Sequence, residues 1–132
     1  MKIFKNTSIS NDYKNSVIAV GNFDGVHIGH KKVLNAAYKK AKKMKKKFGL
    51  LTFEPVPVMF FNKKIINHRL DTLPQKISNL KKEKLDFVII QKFNKKFSKL
   101  TYEEFIYKIL FQKIKCKFLY VSKNFKFGNK RE

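Results

Sequence analysis

Residues 17 to 34, "VIAVGNFDGVHIGHKKVL", contain a change of period that few folds accommodate. Val17 to Val20 form an unbroken apolar run of small and β-branched residues stopped by Gly21, which reads as a strand buried on both faces. Beyond the turn, Val33, Leu34, Ala37, Ala41 and Met44 recur at the spacing of one helical face, so an amphipathic helix is expected to begin near His30. A strand that feeds a glycine turn and then a helix start aims free backbone N–H groups and the positive end of a helix dipole at one point. Such a point favours an anion.

The same alternation continues. "FGLLTFE" at 48–54 predicts a second strand, followed by a proline-containing loop. Asp71 is placed to cap a helix running to about Lys84, with Pro74 in its first turn and Ile77 and Leu80 on the buried side. "DFVIIQ" at 86–91 predicts a third strand, and "KFLYVS" at 117–122 a fourth. Between them, Thr101 followed by Glu104 is a capping-box pattern, after which Phe105, Ile106, Ile109, Leu110 and Ile114 trace an apolar helical face. Four apolar runs separated by helices predict a single α/β domain with a parallel sheet, whose ligand site lies beyond the carboxyl ends of the strands. Four segments meet at that edge: the Gly21 turn, "TFEPVP", "QKFNKKFSKLT" and "SKNFKFGNKR".

With 132 residues, 43% of them hydrophobic, the chain has enough apolar material for one core and too little for two domains. Its single cysteine, Cys116, is expected to be a reduced core thiol, which with the absence of a signal-peptide pattern points to the cytoplasm. No apolar stretch approaches the roughly 18 residues of a membrane span. The net charge of +22 would attract nucleic acid, but only Arg69 and Arg131 are arginines, and lysine is the poorer residue for bidentate contacts. In the longest basic run, "KKAKKMKKK", Ala41 and Met44 face the core and the lysines read as a solvated face.

The motif "GNFDGVHIGH" resembles the G-x-F-D-G-x-H-x-G-H signature of the FMN adenylyltransferase module of bacterial FAD synthetases, within the H-x-G-H nucleotidyltransferases. "TFEPVPVMFF", "HRLDTLPQKISNL", "FNKKFSKLTYEEFI" and "NFKFGNKRE" are similar, in order and spacing, to the module's later blocks. The resemblance runs from Val17 to Glu132. It implies a Rossmann-like nucleotidyltransferase fold, a reaction between ATP and FMN that yields FAD and pyrophosphate, and a magnesium ion.

It also implies roles for particular residues. His27 and His30, with Asn124, would be catalytic; the ATP site would comprise Gly21, Asn22, Phe23, Asp24, Gly25, His27, Gly29 and His30. Phe53, Pro55, Phe60, Asn124, Phe125 and Phe127 would contact the flavin, and Asn124 the metal. Asp24 is expected to brace the turn through backbone N–H groups. Core packing is the competing reading for the phenylalanines, and zinc binding by the two histidines lacks the third and fourth ligands it would require.

Val56 stands where the family often has histidine, and Ser122 where it usually has glycine. The family continues past the position of Glu132 into a final strand, a Ser-rich motif with arginine, and a riboflavin kinase domain. Residues 1–132 are therefore expected to be a partial module whose partners are ATP, FMN or riboflavin and a polypeptide carrying the C-terminal half. A non-catalytic nucleotide or flavin binder is the alternative, and a basic RNA-binding module a third reading carried by charge alone.

Overall fold

The structure, a computed structural model, describes residues 1–23, 28–54, 73–122 and 125. Its frame is a five-stranded parallel sheet in the order β1-β4-β3-β2-β5, formed by β1 (Lys2–Phe4), β2 (Val17–Val20), β3 (Phe48–Glu54), β4 (Phe87–Lys92) and β5 (Phe118–Val121). Every adjacent pair is parallel. This is the Rossmann-like α/β arrangement the sequence predicts, with one strand more than expected. The extra strand is β1, only three residues long and paired with β4 alone, too short to show a period.

Alternation along the strands builds two cores. Val17, Ala19, Leu50 and Val88 face helix α1 (Ile28–Met44) and Leu80 of α2 (Leu73–Lys81). Ile18, Val20, Leu51, Phe53 and Ile89 face the other way. There they meet Phe97 of the short α3 (Lys95–Ser98), together with Phe105, Leu110 and Ile114. Asn94 caps α3 by accepting from Phe97 N at 3.1 Å, so the segment expected at the sheet edge after β4 holds a short helix.

The helical faces differ in detail from the expected ones. Met44 is 39% exposed rather than in the core, because Lys45 takes φ 55° and the chain turns away at once. In α2 the buried face is rotated by one residue: Lys76 is buried and Ile77 half-buried. The strand expected at 86–91 begins one residue later, since Asp86 binds the start of β3, its N donating to Phe48 O and its Oδ2 accepting from Phe48 N, each at 2.8 Å.

Thr101 does form the capping box of α4 (Tyr102–Glu104), with Thr101 Oγ1 accepting from Glu104 N at 3.1 Å and Glu104 Oε1 accepting from Thr101 N at 3.0 Å. The helix then widens into a π-helix over Phe105–Lys113. Residues five apart share a face in that winding, and the buried pairs Phe105/Leu110 and the Ile114 N to Ile109 O bond (2.8 Å) follow it. Cys116 is buried beside them, and loss of hydration pushes its thiol up to about 11. No helix among the described residues is long and apolar enough to cross a membrane. The expected capping residue Asp71 lies outside the described residues.

Candidate functional site

The carboxyl end of β2 is held by its neighbours before any ligand is considered. Gly21 N donates to Leu51 O at 3.3 Å and Ser122 N to Val20 O at 2.9 Å, so β3, β2 and the chain leaving β5 are drawn together. A Cβ on Gly21 would lie 2.7 Å from Ser122 Cβ and 3.0 Å from the Phe23 ring. The space that a side chain would need at Gly21 is therefore filled by protein, a packing requirement in addition to the expected closeness to phosphate. Ser122, the residue replacing the family's usual glycine, is the one that fills it.

Asn22 and Phe23 shape the rim. The carbonyl oxygen of Asn22 accepts from Thr52 Oγ1 of β3 at 3.0 Å. Its side-chain Oδ1 is buried and accepts no hydrogen bond among the described residues. Phe23 is 4% exposed and adopts φ 50°, a left-handed backbone that a bulky residue rarely takes. Its ring centroid is 5.1 Å from that of His30, tilted by 59°. His30 is half-buried in the first turn of α1, which has no acidic residue. The arrangement sets an imidazole, a helix N-terminus and a buried amide oxygen around the end of one strand. The imidazole and the helix N-terminus suit a phosphate, and the amide oxygen suits a donor or a cation.

The other expected site residues divide into two groups. Asp24, Gly25, His27, Pro55, Phe60, Asn124 and Phe127 lie outside the described residues, and Gly29 is in the first turn of α1. Phe53 and Phe125 are brought together in the core. Phe53 is wholly buried, edge-on to Phe93 at 5.3 Å and Phe97 at 5.7 Å, and stacked on Phe125 at 6.4 Å. Phe125 N donates to Ser122 O at 3.0 Å, a turn that folds its ring back beneath the sheet edge. Phe53 is wholly enclosed, and Phe125 keeps 6% of its surface.

Two polar residues not singled out from sequence are also buried, Thr52 beside Asn22 and Lys76 away in α2. Thr52 is buried at the strand end, and Lys76 is 1% exposed in the first turns of α2. Lys76 had a legible signal: it stands three after Leu73 and four before Leu80, on the apolar stripe. A cleft of about 280 Å³ runs along α1, lined by Lys31, Tyr38, Phe48, Lys82, Glu83 and Lys84 among others.

A family model described as FAD synthetase matches residues 9–132. Among curated relatives, the bifunctional riboflavin kinase/FMN adenylyltransferase of Buchnera aphidicola subsp. Schizaphis graminum is 44% identical over 117 residues, 89% of this chain and 38% of its own length. That of Buchnera aphidicola subsp. Acyrthosiphon pisum is 35% identical, over 99% of this chain and 42% of its own. That of Haemophilus influenzae is 39% identical, over 87% and 37%. The chain thus spans about two fifths of the length of these relatives. A crystal structure described as a macrolide-efflux protein from Streptococcus pneumoniae superposes with a TM-score of 0.72 at 23% identity, covering 98% of this chain and 43% of that one, a likeness of fold alone.

Proposed function

The chain belongs to the FAD synthetase family, and from that premise we propose that it carries the nucleotide-binding part of an FMN adenylyltransferase. In the proposed reaction a phosphate oxygen of FMN attacks the α-phosphorus of ATP in line. The bond from the α-phosphorus to the oxygen bridging it to the β-phosphorus breaks, and pyrophosphate leaves with that electron pair. The FMN phosphate is largely ionised at neutral pH, so the site needs no general base. Its work is orientation and the stabilisation of charge on the phosphates.

The observation that carries this reading is the His30 imidazole, set against Phe23 in the first turn of α1 at the carboxyl end of β2. His30 and His27 would donate to phosphate oxygens, and the first-turn N–H groups would donate to the adjoining ones. Pro55, Phe60, Asn124 and Phe127 would serve the flavin side. A magnesium ion entering with the triphosphate would neutralise part of its charge. The buried Oδ1 of Asn22 fits such a cation, which takes oxygen ligands and is commonly shared with substrate phosphates. Asn124 is the further residue that the resemblance gives to it.

The rest of the module is proposed to be supplied by a polypeptide docking beside β5. In support, among the described residues β5 pairs with β2 alone, and Phe118–Val121 are all half-buried. The buried Cys116 thiol and the substrates ATP and FMN suit a reducing cytoplasm. Incubating the chain with ATP, FMN and magnesium, with and without the C-terminal portion of a relative, and separating the flavins chromatographically tests the reading. FAD should form slowly or not at all with the chain alone and readily with the supplement. If ATP and FMN both fail to bind by calorimetry, the reading is wrong.

A further inference from the structure

Helices α1 and α2 lie on the same face of the sheet, since Leu34, Ala37 and Ala41 of α1 share a core with Leu80 of α2 and with Leu85 beyond it. The cleft of about 280 Å³ opens between α1 and the segment that follows α2. Lys31, Leu34, Asn35 and Tyr38, spaced along one face of α1, form one wall, and Lys82, Glu83 and Lys84 form the other. Leu34 and Phe48, both buried, are its apolar lining. Asn22, Phe23 and His30 are not among the residues that line it, so it is distinct from the site at the end of β2.

Positive charge gathers around one ring of this cleft. Lys84 holds its ammonium 4.8 Å from the centroid of the Tyr38 ring. Lys42, one turn further along α1, holds its own 5.7 Å from the same centroid and donates to Tyr38 Oη at 3.4 Å. Each cation–π contact orients an ammonium, but two like charges about one ring repel each other. Lys31 and Lys82 bring two more ammonium groups to the walls, and neither makes a side-chain hydrogen bond or ion pair among the described residues. Glu83, the one carboxylate in the lining, forms no ion pair among the described residues either. The lysines are thus brought together without being neutralised by the acid beside them.

We propose that this cleft is a second anion site, which takes a compact ligand with two linked phosphates, either free diphosphate or the phosphate tail of a nucleotide. Three lysines line the cleft against one glutamate, so an anion with at least two negative charges is needed to neutralise the cluster. Lysine meets phosphate as a point charge, which suits an anion whose oxygens are approached from several sides. The Asn35 amide and the Tyr38 hydroxyl on the α1 wall add neutral donors. The volume, equal to that of roughly nine waters, and the concave form fit such an anion better than a nucleic-acid strand, which a flat basic face would serve. The proposal does not depend on the adenylyltransferase reading.

Amide correlation spectra of the chain titrated with sodium diphosphate, ATP and adenosine test it. The backbone amides of Lys82, Glu83 and Lys84 should shift in a saturable way with diphosphate, with ATP or with both, and not with adenosine. A response to diphosphate alone assigns the free anion, and a tighter response to ATP assigns the nucleotide tail. When Lys82→Gln is combined with Lys84→Gln, the affinity read at these amides should fall on the order of tenfold or more. When Lys39→Gln is combined with Lys43→Gln, the same charge is removed from α1 outside the cleft and the affinity should stay within about twofold of the parent. All four lysines are exposed, so both double variants should fold. Equal losses in the two would reduce the effect to net charge and overturn the proposal. Shifts confined to the start of α1 would place the anion at the end of β2 only, and would overturn it while leaving the adenylyltransferase reading intact; no shift with either phosphate ligand would overturn it as well.

Discussion

The Phe23 ring and the His30 imidazole face each other across the β2–α1 turn, 5.1 Å apart and tilted by 59°. The relationship joins a strained residue to a chemical one. Phe23 holds φ 50° with only 4% of its surface exposed, so its backbone conformation is kept by the packing of its ring. The same ring limits where the imidazole can lie.

Replacing Phe23 should therefore disturb binding as well as stability. Phe23→Ala is expected to cost about 3 kcal/mol of folding stability, as for other buried aromatic truncations. It should also weaken ATP binding, because the imidazole loses its wall. His30→Ala should weaken the same binding at a stability change within about 1 kcal/mol, a partly exposed site. Urea unfolding and calorimetry on both variants separate the two effects. A larger stability loss for His30→Ala than for Phe23→Ala would make the histidine a packing residue.

Gly21→Ala should be coupled to Ser122. The new methyl would stand 2.7 Å from Ser122 Cβ, and overpacking of this kind costs about 1–3 kcal/mol. Ser122→Gly removes the opposing atom, so the double variant should be more stable than the sum of the single losses predicts. A double-mutant cycle from urea unfolding measures the coupling. Additive losses would mean that the Phe23 ring, not Ser122, sets the limit.

Gly49→Ala should be more severe. Its Cβ would enter the Phe87 ring, which is itself wedged edge-on by Phe4 at 6.1 Å and Tyr13 at 5.1 Å. Neither strand can yield, because β3 and β4 are paired from Gly49 to Glu54. Little folded protein is expected from Gly49→Ala by circular dichroism, with partial recovery when Phe87 is shortened to leucine.

The buried thiol gives a pH signature. Cys116 is raised from 9.0 to about 11 by desolvation, so the folded chain holds this proton more tightly than the unfolded one. Its stabilising contribution is complete below pH 9 and is lost as pH rises toward 11. Urea midpoints between pH 8 and 10.5 should fall more steeply for the parent chain than for Cys116→Ala, the comparison that cancels lysine titration. Parallel slopes would show that the thiol is solvated.

Strand positions were legible where burial is continuous, as in β2 and β3, because a run buried on both faces leaves an unbroken apolar signature. Three features were not legible for specific reasons. The strand β1 consists of Lys2, Ile3 and Phe4 at a sheet margin, where pairing with β4 and not composition makes it a strand. The π-helix follows from apolar residues placed at spacings of both four and five, and the sequence cannot say which spacing the sheet will select. Phe53 and Phe125 belong to motifs that resemble a flavin site, yet strand alternation and a tight turn send their rings into the core. At the site, the glycine turn and His30 were readable from the change of period. Away from it, the burial of Lys76 was marked only by its spacing from Leu73 and Leu80, a weak signal in a chain where lysine usually means surface.

The pairing of Lys2 with Phe87 fixes an order of assembly during synthesis. Strand β1 has no partner until β4 has been made, whereas β2 and β3 are separated by a single helix and can pair early. Residues 2–4 therefore wait unpaired until Phe87–Lys92 are in place. They then close over Phe87 with Phe4 and Tyr13. The same segment should be the first to leave on unfolding, so that the backbone amides of residues 2–4 exchange with solvent ahead of those in β2 and β3.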